Sequence, residues 1–162
     1  MSDEHYAAAF GKERARAAGL VLQSHPATAP TQATTAQARG SHWSVVKFVS
    51  KDGEGKYIPT REGNSAFGWQ HFSGPHNIRD PKVIKIVTSE HPTRKGVRRE
   101  YGGVLTNRLG AILARIKVVA QYDYKTADGV YQLADRSQKI GTITAYCERV
   151  SRNRCPDAVN ET

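Results

Sequence analysis

The apolar and polar positions divide the chain into a weakly patterned front and a strongly patterned remainder. Residues 3–22 are Ala-rich with interspersed Arg and Lys, and they predict a helix within a leading segment, 1–23. Ser2 and Asp3 are its candidate caps. Tyr6, Phe10, Ala17 and Val21 follow the helical period only loosely, so firm docking of this helix is not expected. Residues 24–41, SHPATAPTQATTAQARGS, hold Ala, Thr, Pro and Gln and no large apolar side chain. Such a stretch cannot bury enough surface to offset its ordering entropy, which predicts a flexible linker. The folded unit is therefore expected over 42–162.

Within that unit, SHWSVVKFVS (41–50) reads as a short apolar strand or buried turn. Residues 51–66 are punctuated by Gly53, Gly55, Pro59 and Gly63 and read as a loop. AFGWQHF (66–72) predicts a short helix that stops before Gly74-Pro75. Four strand signals follow. PKVIKIVTS (81–89) is β-branched and alternates with Lys, and RREYGGVLTN (98–107) carries a Gly pair that suggests a bulge. GAILARIKVVAQYDY (110–124) is the longest, and KIGTITAYCERV (139–150) is the last. An Asp-Gly turn signal lies in 125–129. The predicted class is α+β: an N-terminal helix and linker, then a helical segment packed on a four-stranded antiparallel sheet.

Charge changes the picture more than length does. The chain has 162 residues and a net charge of +9, and 20 of its basic against 12 of its acidic residues lie from His42 onward. A polyanion is then the leading partner class. No apolar run approaches the length of a membrane-spanning helix. The acidic, polar start lacks the marks of a signal peptide, so any export is expected to use a non-classical route.

The densest candidate chemistry is FGWQHFSGPHNI (67–78). Gly74-Pro75 separates His71, on the last turn of the helix, from His76, on the following loop, so two imidazoles can face one cleft from different backbones. A His pair suits phosphodiester cleavage without a metal or cofactor. One ring takes the proton of a ribose 2′-OH and the other protonates the leaving 5′-oxygen. The plainer alternative makes Phe67, Trp69 and Phe72 core anchors and His71 a packing residue. Strand phase supplies a second group. Ala114, Ile116, Val118 and Ala120 share one face, and Arg115, Lys117 and Gln121 share the other. In the last strand Thr142, Thr144 and Tyr146 oppose Gly141, Ile143, Ala145 and Cys147. Paired, these strands would present Arg, Lys, Thr and Tyr to a phosphate, or simply to solvent. The basic run Arg94, Lys95, Arg98 and Arg99 can grip a nucleic-acid backbone, and Trp69 can stack on bases. Cys147 and Cys155 match no zinc spacing, but they can close a tail loop by a disulfide under oxidising conditions.

The order FGWQHF, HNI, ARIKVV and GTITAYC, over about residues 64–148, resembles the barnase/EndoU/colicin/RelE-like (BECR-fold) bacterial ribonuclease toxins. The resemblance implies a helical segment on a four-stranded antiparallel sheet and RNA cleavage without metal. It implies His71 and His76 as acid and base, and Thr144 and Tyr146 on the phosphate side. Arg115 and Lys117 join them from strand phase alone. The implied partners are RNA, either tRNA or rRNA, and an acidic immunity or antitoxin protein. No membrane is implied, and the site of action is expected in the cytoplasm. Two departures stand out: Gly-Pro precedes the second His, and the last strand reads Tyr-Cys. A non-catalytic nucleic-acid-binding module and a basic protein-interaction module remain the alternatives.

Overall fold

A computed structural model describes residues 42–162. The expected helix over 1–23 and linker over 24–41 lie outside the described residues. The class is α+β, but the strands form two sheets instead of one. β1 (Val46–Lys51) and β2 (Tyr57–Arg61) make an antiparallel hairpin. β3 (Arg98–Thr106), β4 (Ile112–Gln121) and β5 (Gly141–Cys147) make an antiparallel sheet in the order β3-β4-β5.

β2 replaces part of the expected loop over 51–66. Its turn is built by Asp52, whose carboxylate accepts from the N–H groups of Glu54 at 3.0 Å and Lys56 at 2.7 Å. Pro59 fits because the hairpin is narrow and only one side of the strand is paired in a ladder. The two sheets meet where β2 packs on β5. There the fully buried Thr60 and Thr142 hydroxyls hydrogen-bond at 2.8 Å. Gly141, at φ +84°, lets the chains approach, since a Cβ there would lie 1.8 Å from the Pro59 carbonyl oxygen.

Residues 81–89 form not a strand but helix α2 (Pro81–Thr88), following the short α1 (Trp69–Ser73). The physical reason is capping. Asp80 accepts from the Lys82 N–H at 2.9 Å, and Pro81 occupies the first turn, where its missing N–H costs nothing. Val83, Ile84, Val87 and Thr88 are buried, which is a helical spacing that the alternation with Lys conceals. α2 covers one face of the three-stranded sheet. Val83, Ile84 and Val87 pack there with Tyr101, Ile116, Val118, Ala145, Ile58 and Phe72. The Gly102-Gly103 pair is no bulge, because both residues pair in register with Lys117 and Ile116. Gly103 instead makes room for α2, since a Cβ there would lie 2.8 Å from a Val87 methyl. A second cluster, Phe67, Tyr131, Leu133 and Ile140 with Trp43 against it, closes the other end. Among the described residues no helix is long and apolar enough to cross a membrane.

Candidate active site

The face of the three-stranded sheet away from α2 carries the polar residues. Register places Lys117 opposite Tyr146 and Gly102, Arg115 opposite Val104, and Val119 opposite Thr144 and Glu100. The strand phase expected from the sequence therefore holds for Arg115, Lys117, Thr144 and Tyr146. It fails one residue further on, because a register shift between Val119 and Ala120 puts Ala120 opposite Thr142. Thr142 turns to the core and bonds Thr60, while Ile143 joins the wall beside His71.

α1 brings the histidines to this face. Gly68, at φ +78°, begins it, and its N–H donates to the Ile143 carbonyl at 2.8 Å, tying the helix to β5. The His71 Nδ1 lies 2.9 Å from the Ser65 carbonyl. A carbonyl only accepts, so Nδ1 carries the hydrogen and Nε2 is left for other work. Gly74-Pro75 then turns the chain and delivers His76. The two imidazole centroids are 5.3 Å apart and nearly perpendicular, and the His76 ring is 6.0 Å from the ring of Tyr146. Burial pushes the His76 pKa below its ordinary 6.5, and the neighbouring His71 adds to this, against an upward pull from the backbone of Asn153 and Arg152. Among the described residues, nothing hydrogen-bonds to the buried His76 Nδ1 or to the buried Thr144 hydroxyl. Such atoms are uncommon in folded proteins, and here both sit at one site.

Two carboxylates that sequence reasoning missed adjoin Lys117. Its ammonium is 2.9 Å from Glu148 and 3.7 Å from Glu100. Hydrogen bonding to Glu148 raises the Lys117 pKa, so it stays charged. Glu100 lies on the strand phase of Arg98, a signal that the sequence contained. Glu148 lies just past β5, where phase gives no guide. The packing of the tail on the His76 loop was missed as well, although the spacing of Cys147 and Cys155 offers the bond that closes it. The Cys147–Cys155 disulfide is formed, and beyond it the chain folds over the His76 loop. The Cys155 N–H donates to the His76 carbonyl at 2.9 Å, and the buried Asn77 amide donates to the Cys155 carbonyl at 3.0 Å and to Asp157 at 2.8 Å. Asn160 returns a hydrogen bond to the Asn77 carbonyl at 2.9 Å.

The expected nucleic-acid grip is dispersed. Arg98 is exposed and has no carboxylate partner among the described residues, whereas Arg94 pairs with Glu100 at 3.6 Å and Lys95 pairs with Glu54. Arg99 is only 7% exposed and lies on the opposite face, 2.6 Å from Glu54 and 3.5 Å from Asp52. It is a buried staple and not a surface contact, because strand alternation sends it inward beside Arg98. Trp69 is likewise a packing residue, set edge-on against Phe48 at 5.8 Å and Phe72 at 5.5 Å. The arrangement thus offers two imidazoles, a phenol, an orphan hydroxyl and a charged lysine around one shallow face. No protein-family model, no curated protein and no solved structure matches this chain.

Proposed function

We propose that this protein is a metal-independent endoribonuclease, toxin-like in character. The observation that carries the reading is the pair of imidazoles 5.3 Å apart on separately anchored backbones, facing a sheet surface with Lys117, Thr144 and Tyr146. Acid–base transfer at one phosphodiester uses two such groups, one for the attacking oxygen and one for the departing oxygen. His76, held towards its neutral form, takes the proton of the ribose 2′-OH. That oxygen forms its bond to phosphorus as the bond to the 5′-oxygen breaks. His71, acting as the imidazolium with its Nδ1–H on the Ser65 carbonyl, gives the departing oxygen its Nε2 proton, leaving a 2′,3′-cyclic phosphate and a 5′-OH. The Thr144 hydroxyl and the Tyr146 phenol orient the phosphate, and Lys117 and Arg115 stabilise its growing charge. The BECR-like resemblance supports the same reading and suggests tRNA or rRNA in the cytoplasm as target. It also suggests an acidic immunity or antitoxin protein as partner and delivery by a non-classical route.

The ion pairs of Lys117 with Glu148 and Glu100 favour a second reading, a nucleic-acid-binding module without catalysis, since that charge is already matched. Incubation of the protein with total RNA and with tRNA in EDTA separates the two. The enzyme reading expects discrete cleavage and a loss of roughly 10²–10⁴-fold for His71→Ala or His76→Ala, with RNA affinity retained. Intact RNA with salt-sensitive binding supports the module, and variants that cut like wild type refute the His assignment.

A further inference from the structure

Beside His71 the surface opens into a cavity of about 360 Å³. Its floor is aromatic. Phe67 and Tyr131 lie with centroids 4.8 Å apart, and both rings are backed by Trp43. Its rim is polar: Arg98 and Gln121 face each other across β3 and β4, and Asp128, whose carboxylate accepts from the Thr126 hydroxyl and the Val130 N–H, completes it. Gln121 is the informative residue. It is only 4% exposed, it lines the cavity, and its carboxamide makes no hydrogen bond with any described residue. The carboxamide, with two donors and an acceptor, opens to the cavity and is left to pair with a ligand that enters it. That ligand must be flat and partly apolar to lie against Phe67 and Tyr131. It must carry a donor and an acceptor side by side to match a carboxamide, and it must extend towards a negative charge that Arg98 can meet.

We infer that this cavity receives a nucleobase of the RNA strand, the one next to the phosphodiester at His71, and that Gln121 reads its edge. The inference rests on the ribonuclease reading for the neighbouring histidines but adds a base preference that the reading itself does not require. A carboxamide pairs in a bidentate way with a base edge that offers one donor and one acceptor, and such a pair discriminates by about 1–3 kcal/mol, or roughly 5–150-fold. A cavity of this size holds one base drawn out of its stack. The Arg98 guanidinium, which has no ion-pair partner among the described residues, takes the phosphate on the cavity side.

The test uses two panels of tetranucleotides, one of RNA and one with a 2′-deoxy sugar at the expected scissile position so that it binds without being cut. Each panel varies a single base among A, C, G and U. Cleavage rates are read on the first panel and affinities on the second, for wild type, Gln121→Leu and Gln121→Glu. The expected result is a preference for one base of at least fivefold in wild type. Gln121→Leu levels it, and Gln121→Glu, which only accepts, reorders it. Ala127→Trp, on the exposed turn at the cavity mouth, is a second probe that does not disturb the core, and it is expected to level the preference too. Cleavage without a base preference, or a preference unchanged in both Gln121→Leu and Ala127→Trp, overturns the pocket and leaves the ribonuclease reading standing. A preference in deoxy binding that depends on Gln121, with no cleavage of RNA, keeps the pocket and overturns the catalytic reading. Absence of both binding and cleavage overturns the pocket.

Discussion

Removing the Cys147–Cys155 bond, by a thiol reductant or by a Cys147→Ala/Cys155→Ala double change, tests what the tail does. The two cysteines are 8 positions apart, and both are buried. Closing so small a loop restricts the unfolded chain by about 2.6 kcal/mol in the chain-entropy description. For a folded unit of this size that corresponds to a fall in Tm of about 10 °C. The tail is also held independently of the sulfurs. Val159 is fully buried, and Asn160 accepts from the Arg79 N–H at 2.6 Å and the Asp80 N–H at 3.3 Å. The expected outcome is therefore a cooperative melt at lower temperature and not loss of the fold. Thermal unfolding followed by circular dichroism, with and without reductant, reads the shift. Hydrogen exchange reads the place, with faster exchange at Cys155 and around His76 and little change in β4. A melt that moves by less than about 2 °C would refute the assignment of the bond as a structural strap. Uniformly faster exchange throughout the sheet would refute the local account.

Other outcomes follow from single contacts. Thr142→Val removes one partner of a fully buried hydroxyl pair and strands Thr60, so urea unfolding should show a loss of about 1–3 kcal/mol, whereas the double change Thr60→Val/Thr142→Val should cost less than the sum. Asp52 accepts from the Tyr101 and Tyr122 hydroxyls at 2.9 and 3.0 Å. Burial opposes its ionisation, but these bonds and the Lys56 and Glu54 N–H groups hold its pKa below the ordinary 3.8. Its contribution is thus complete above the unfolded value and lost as pH falls through the lower folded one, and Asp52→Asn should flatten stability against pH in that acid window. The lowered pKa of His76 has the opposite chemistry and the same slope. Its neutral form favours the fold, so stability should fall as pH drops below about 6.5, and His76→Gln should remove that part of the curve. Gly141→Ala, at φ +84° and against the Pro59 carbonyl, should separate the two sheets and lower the urea midpoint sharply.

How much the sequence told depended on whether local rules or tertiary contacts decided each element. β3, β4 and β5 were legible because their residues alternate over seven to ten positions with no Asp-Pro cap in front of them. The α2 segment misled because a β-branched run with Lys at intervals fits two periods, and only the Asp80-Pro81 cap separates them. β2 was hidden by the glycines and the proline around it, since its strand character comes from pairing with β1 and packing on β5. In the candidate site, the placement of His71 and His76 followed from the Gly-Pro break between them, and Arg115, Lys117, Thr144 and Tyr146 followed from phase. Arg99 and Trp69 did not, because a charge or an indole in a sequence carries no mark of the partner waiting inside. Gln121 passed as one more polar residue of a strand until its neighbours were known.

The backbone around His76 argues that its position is imposed. Among the described residues, Asn77, Arg149, Arg152 and Asn153 are the non-glycine residues with positive φ, from 53° to 60°, and all four lie in the His76 loop or in the tail that folds over it. Each such conformation costs on the order of 1 kcal/mol, and it persists only where surrounding contacts over-determine it. Here those contacts are the disulfide, the bonds of Asn77 to Cys155 and Asp157, and the Arg154 guanidinium on the Gly74 carbonyl at 2.9 Å. The expected consequence is specific. Asn77→Gly keeps the φ but removes two side-chain hydrogen bonds, so it should lower stability modestly and RNA cleavage much more. Asn77→Asp keeps the shape but sets a carboxylate against Asp157, and it should do the same with a dependence on pH. If both variants cut RNA at the wild-type rate while losing stability, the strained loop serves the fold alone, and the catalytic placement of His76 has to be abandoned.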